Sequence, residues 1–274
     1  MTVSLSVVVP AYNEAARLET SLRALLKYLN RNFPRSELIV VDDGSDDDTL
    51  AVTRRVFEAA GSVNARTISY KPNRGKGYAV RCGLLAAQGK IGLFSDADLS
   101  SPITETQKLV TPIAEGDYDL TFGSRALDRR LIGVHQSWRR EQGGRLFNLV
   151  VRLATGLPFW DTQCGFKAFR LNACRPIIEA ANIDRFGFDV ELLYVSQLAG
   201  LRLKEIAVRW DHKAGILDAS GNYARDSLRM LGEVKKVRQQ VAAGVYSEAI
   251  SAARTMILIE QKQLHISGPP EFQR

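Results

Sequence analysis

Residues 5–9 form an apolar, valine-rich run interrupted only by Ser6 and stopped by Pro10-Ala11-Tyr12-Asn13. A run without alternation is the pattern of a strand covered on both faces. Leu18, Leu22, Leu25, Leu26 and Leu29 then recur at helical spacing. Asn13 is placed to cap that helix, and Phe33-Pro34 lies past its end. The alternation continues with strands at 38–41, 66–70, 91–94 and 120–122 and helices at 49–60, 78–88 and 102–115. Strands separated by helices of this length imply a mostly parallel sheet with right-handed crossovers, whose ligands sit outside the carboxyl ends of the strands. The second half is less regular. It predicts helices at 138–154 and 190–199, strands at 166–169 and 203–210, and a helical stretch from about residue 222. Gly215 to Gly221 is the best candidate boundary, dividing an α/β domain at 1–215 from a helical extension at 216–274.

Composition narrows the class. With 274 residues, 45% of them apolar and 24% charged, the chain can bury enough surface to offset its ordering entropy, which excludes disorder. No stretch reaches the ~20 apolar residues of a membrane helix, and no basic region precedes an apolar one at the start. Three cysteines lack metal spacing and do not suggest a disulfide framework. The expectation is a cytoplasmic protein, soluble or peripheral on the cytoplasmic face of a membrane. Its net charge of +7 suits anionic partners. Nucleic acid is not expected among them, because no surface motif combines aromatic and basic residues.

Phe94-Ser95-Asp96-Ala97-Asp98 carries the sharpest chemistry. A buried strand ends in two carboxylates one residue apart, hard ligands suited to Mg²⁺ or Mn²⁺; a turn capped by Asp is the plainer reading. Asp42-Asp43-Gly44-Ser45 follows another strand at the same edge, where a carboxylate can accept from a ribose hydroxyl or base N–H. Asp46, Asp47 and Asp48 read instead as a helix N-terminal cluster. In Asn73-Arg74-Gly75-Lys76-Gly77 the glycines would let backbone approach an anion, and Lys76 would neutralise a diphosphate. The full spacing of a P-loop is missing, and a simple basic turn is an equal reading of this segment.

Taken with Val7-Val8-Val9-Pro10-Ala11-Tyr12-Asn13-Glu14, these motifs resemble, in order, the nucleotide-sugar domain of family 2 glycosyltransferases, which have the GT-A fold. Gly123-Ser124-Arg125, the run from Asp161 to Lys167, the run from Phe188 to Tyr194 and the run from Glu205 to Trp210 are similar to dolichyl-phosphate β-glucosyltransferases, with mannose synthases sharing part of the pattern. The resemblance covers residues 3–213. It implies an inverting, metal-assisted transfer of a hexose, glucose from UDP-glucose ahead of mannose from GDP-mannose, to a polyprenyl or dolichyl phosphate. Pro10, Ala11, Tyr12, Glu14, Asp42, Asp43, Lys76, Asp96 and Ala97 would line the donor site. Asp96 and Asp98 would hold Mg²⁺ or Mn²⁺. Arg125, Arg139 and Arg140 would position the acceptor phosphate. Asp161 would act as a base or orient an arginine, and Asp189 is a weaker acid/base candidate beside Glu191.

The resemblance departs from this chain after Trp210, where relatives show a Gly-Ser-Lys element and here Gly215 precedes Ile216-Leu217. Membrane helices common in relatives are not found in the sequence. The segment 138–154 sets Leu146, Leu149, Val150 and Leu153 on one helical face with Arg145 and Arg152 flanking, which suits either a membrane interface or ordinary packing on the sheet. Two other readings stay open: a single-sugar transferase with a soluble saccharide acceptor, and a nucleotide-sugar sensor that has lost transfer.

Overall fold

The computed structural model describes residues 4–60, 64–213 and 223–267. Seven strands form one sheet in the order β3 (Ala65–Ser69), β2 (Ser36–Asp42), β1 (Leu5–Ala11), β4 (Ile91–Ser95), β7 (Phe166–Arg170), β5 (Leu120–Ser124) and β8 (Leu203–Ala207). Pairing is parallel except at β7, which runs antiparallel to both β4 and β5. A small second sheet joins β6 (Ile132–Val134) to β9 (Trp210–Asp211). The helices are α1 (Ala15–Asn32), α2 (Thr49–Ala60), α3 (Lys76–Ala86), α4 (Thr106–Ala114), α5 (Trp138–Thr155), α6 (Leu171–Ala180), α7 (Phe188–Leu198), α8 (Tyr223–Ala242) and α9 (Ser247–Ser267).

The unbroken apolar strands are explained by a core on each side of the sheet. Every residue of β1 and β2 is buried. Val7 and Val9 pack on one side with the leucines of α1. Val8, Ile39 and Val41 pack on the other with residues of α3, α6 and α7. Tyr246, Ala249 and Ala253 join that second core, and α9 lies along α6. The C-terminal helices are therefore part of the packed body. The boundary expected between residues 215 and 221 lies outside the described residues.

Several local expectations differ from the structure. Asn13 does not cap α1 but adopts a left-handed backbone with φ of 53°. Its N–H donates to Ser45 Oγ at 3.0 Å, and its Oδ1 accepts from Asp46 N at 2.9 Å. Asp47 instead caps both neighbouring helices, accepting from Ala15 N at 3.1 Å and Thr49 N at 2.9 Å. The helix expected at 102–115 is a 3₁₀ turn followed by α4, and the strand expected at 203–210 divides into β8 and β9.

Candidate functional site

The carboxyl ends of β1, β2 and β4 open into a cavity of about 470 Å³. Pro10, Ala11, Tyr12, Glu14, Asp43, Lys76, Asp96, Ala97 and Asp98 all line it. Eight of those nine were expected on the donor side, and Asp98 as a metal ligand. Asp42 is not among them. Its carboxylate turns into the protein, accepting from Ser45 N at 3.1 Å and Ser69 Oγ at 2.9 Å. It braces the turn after β2 rather than facing the cavity.

Asp43 reaches the wall of the cavity with its carboxylate already engaged. Tyr70 Oη and Arg74 N donate to Oδ1 at 2.9 Å each, while Asn73 Nδ2 and Gly75 N donate to Oδ2 at 2.8 Å each. These bonds tie the loop before α3 to the end of β2. Glu14 is likewise occupied, paired with Arg17.

Asp96 follows β4, its N–H donating to Gly165 O at 3.1 Å. A Cβ at Gly165 would overlap the Asp96 carboxylate, so only glycine leaves room for that side chain. Asp96 Oδ1 is buried and meets Lys76 Nζ at 2.5 Å, its one partner among the described residues. Burial works to lower the Lys76 amine, and the charges of Asp96, Asp189 and Asp98 outweigh it, holding the ammonium form. Asp98 accepts from Ser100 N at 2.8 Å, and the backbone turns at Leu99 with φ of 51°.

A second cavity of about 500 Å³ adjoins the first. Arg125, Gln136, Gln163 and Trp210 line both. Beyond this seam the second cavity is lined by Arg129, Arg145 and Arg152, with Leu149 and Trp160 among its apolar surface. Arg129 pairs with Glu141, and Arg152 lies over the Trp160 ring at 4.0 Å.

Arg125 is the fixed point of the seam. Its Nε and Nη2 donate to Asp161 Oδ2 and Oδ1 at 2.6 and 2.8 Å, and its guanidinium lies 5.6 Å from the Trp210 ring centre. Burial works to raise the Asp161 carboxyl, but the charge and hydrogen bonds of Arg125 prevail and hold it below its ordinary value. An aspartate held ionised by a two-pronged arginine is a weak base and a strong orienting group. Asp189 lines neither cavity. It is buried against Lys167, which donates to its Oδ1 and to Cys164 O at 2.6 Å each. Burial pushes the Asp189 carboxyl up despite the charges of Lys167 and Lys76. Asp189 thus reaches the site through the turn beside Asp96. Glu191 is also buried, away from both cavities, among backbone donors.

Arg139 and Arg140 lie in the first turn of α5, and their side chains are outside the described part of the structure. Sequence reading did not find Gln136, Gln163, Arg185 or Phe186, all of which line the first cavity. Gln163 lay within a quoted motif. The others come from loops with no periodic signal. His212, two residues after Trp210, lines that cavity too, its ring stacked 5.9 Å from Trp210.

Residues 6–177 match the model of the family described as Glycosyl transferase family 2. A dolichyl-phosphate beta-glucosyltransferase of Dictyostelium discoideum is 33% identical over 255 residues, covering 89% of this chain and 76% of that protein. The Homo sapiens protein of the same name is 36% identical, with 78% of this chain and 69% of that one covered. Among solved structures, glucosyl-3-phosphoglycerate synthase from Mycobacterium tuberculosis, crystallised with Mn²⁺, UDP-glucose and phosphoglyceric acid, gives a TM-score of 0.59 at 24% identity. That match covers 84% of this chain and 79% of the other. The structural likeness is one of fold, the GT-A arrangement expected above. With the family model running from β1 into α6 and relatives aligned over most of its length, the chain belongs to glycosyl transferase family 2 and is a glycosyltransferase.

Proposed function

We propose that the protein transfers glucose from UDP-glucose, with inversion and a divalent cation, to a polyprenyl phosphate of the dolichyl type. The observation that carries this reading is the junction of two unlike cavities at Arg125, one edged by the carboxylates of Asp96 and Asp98 and the other by arginines. The names of the relatives supply the glucose and the dolichyl phosphate.

Pro10, Ala11, Tyr12, Glu14 and Asp43 would form the wall for the nucleoside, with Lys76 and Ala97 nearer the diphosphate. Asp96 and Asp98 fit a cation: among the described residues a buried Asp96 oxygen meets only the ammonium of Lys76 and no neutral donor. Among the described residues no third acidic, histidine or cysteine side chain completes a cage. Two carboxylates suit Mg²⁺ or Mn²⁺, which keeps water and substrate phosphate as its other ligands. When bound, it would neutralise charge developing on the leaving diphosphate.

In the second cavity, Arg125 and Arg145 would hold the acceptor phosphate, and Arg139 and Arg140, in the first turn of α5, are the further candidates for it. A phosphate whose second pKa is about 6 is already ionised near neutrality, so no strong base is required. Asp161 orients Arg125, and Asp189 acts as a positioning residue through Lys167. Attack by the phosphate oxygen in one displacement inverts the anomeric carbon.

The outer face of α5 exposes Leu146, Leu149, Val150 and Leu153, while Phe147 and Val151 face inward. Apolar side chains flanked by Arg145 and Arg152 would rest in the headgroup region of an anionic, cytoplasmic leaflet and lead the lipid chain toward the second cavity. Among the described residues no helix is long and apolar enough to cross a membrane.

The test is incubation with radiolabelled UDP-glucose or GDP-mannose, a polyprenyl phosphate and Mg²⁺ or Mn²⁺. Label from UDP-glucose should enter the organic phase only when lipid and cation are both present. Label confined to water-soluble saccharide, or faster transfer from GDP-mannose, would overturn the assignment of acceptor or donor.

A further inference from the structure

Gly75, just before α3, and Gly77, in its first turn, are packed against another segment of the chain. A Cβ at Gly75 or Gly77 would overlap the backbone oxygens of Asp184 and Ile183. The space that sequence reading gave to an anion is filled by the segment 181–187, which joins α6 to α7. The segment also grips α3 directly. Tyr78 N donates to Asp184 O at 3.1 Å, and Arg81 reaches Ala181 O and the Asp184 carboxylate at 2.6 and 2.7 Å. Lys76 lies between the two glycines, so its approach to Asp96 depends on where this segment sits. Arg185 and Phe186 of the same segment line the first cavity.

The C-terminal helices hold the segment from behind. Glu191 accepts from Asn182 N at 2.8 Å, from Ile183 N at 3.0 Å and from Tyr246 Oη at 2.6 Å. Gln240 Nε2 donates to Asn182 Oδ1 at 2.9 Å, and Glu233 accepts from Gly187 N at 2.7 Å. Glu191, Tyr246 and Asn182 are removed from both cavities. Buried polar groups such as Glu191 and Tyr246 persist only where each finds its partner.

We infer that the C-terminal helix pair is a positioning element of the donor site, acting through Tyr246 and Glu233 on the segment 181–187 and through that segment on Lys76. The inference rests on the donor-site reading proposed above. It makes Tyr246 and Glu233 positioning residues for donor affinity, although neither touches the cavity.

The experiment compares the full-length protein with the double variant Tyr246→Phe, Glu233→Ala. UDP affinity, measured with Mn²⁺ and no acceptor, should weaken about tenfold, as expected for loss of the Tyr246 hydroxyl's bonds to Glu191 and Asn182 and of the Glu233 bond to Gly187 N. KM for the donor should rise by the same factor, with kcat and the acceptor KM within about twofold. The Tyr78 amide should exchange faster with solvent. Glu233→Gln, which keeps an acceptor for Gly187 N, should restore most of the affinity when it replaces the alanine. Leu25→Ala, which opens a cavity in the core on the opposite side of the sheet, should lower Tm and leave UDP affinity and Tyr78 exchange unchanged. Unaltered exchange and affinity in the double variant, or equal changes in Leu25→Ala, would overturn the inference. Should UDP fail to bind the unaltered protein, the donor reading falls, and amide exchange at Tyr78 still decides the positioning.

Discussion

Asp43 and Asp96 follow strands on either side of β1, yet their carboxylates do opposite work. Four donors saturate Asp43, whereas the buried Asp96 oxygen meets only the Lys76 ammonium among the described residues. The first builds the wall, and in the proposed reading the second helps to hold the cation. Asp161 is bound in the same fixed way as Asp43, by Arg125 and by Gln163 N at 3.2 Å. Replacing it with Asn removes the charge that balances Arg125. Because the Arg125 side chain is about one-third exposed, the expected cost is about 2–3 kcal/mol of unfolding free energy, below that of a fully buried pair. The depressed Asp161 carboxyl contributes stability above its ordinary value of 3.8, and loses it as pH falls through the lower folded value. The difference between wild type and Asp161→Asn in urea unfolding should therefore hold near neutrality and shrink only below about pH 4. A difference already gone at pH 6 would contradict it. Cys164 offers a second check: burial, with the Asp161 charge, pushes its thiol up to about 11, so iodoacetamide at pH 8 should leave it unmodified by mass spectrometry. Asp96 and Asp98 were legible as residues ending a buried strand. The roles of Asp42 and Asp189 were not, because they depend on Ser69 and Lys167, which only the folded sheet brings near.

At the scale of elements, α5 carries the clearest unpaired feature. Replacing Leu146 and Leu153, 64% and 79% exposed, with Glu should leave folding intact, since neither packs inward. Sedimentation with anionic vesicles should fall severalfold, while transfer to a short, water-soluble polyprenyl phosphate should be retained. Undiminished sedimentation would remove α5 from the membrane contact. Strands and helices in the first half were readable because β1, β2 and β4 carry apolar runs and the crossovers between them a helical period. The helix α6, ten residues with Pro176 inside, was not among the expected elements. The antiparallel insertion of β7 between β4 and β5 left no local mark in residues 166–169, and β6 is a strand of three residues defined by its distant partner β9. Such pairings are properties of the sheet rather than of the segment.

At the scale of the molecule, two cavities share the wall formed by Arg125, Gln136, Gln163 and Trp210. The motifs announced the donor side in chain order, because each follows a strand whose end must face the same edge. The acceptor side was readable only as an excess of arginine, since its geometry needs α5 and the Asp161 turn to meet. The central claim is that each cavity takes a different substrate. The most direct measurement is calorimetric titration of UDP with Mn²⁺, and of a short polyprenyl phosphate, into the wild type, Asp98→Asn and Arg145→Ala. Asp98→Asn should abolish the Mn²⁺-dependent part of UDP binding, at least about tenfold, and leave lipid phosphate within about twofold. Arg145→Ala should weaken lipid phosphate about tenfold and leave UDP unchanged. Loss of both ligands in either variant, or no change in both, would contradict the division of the site.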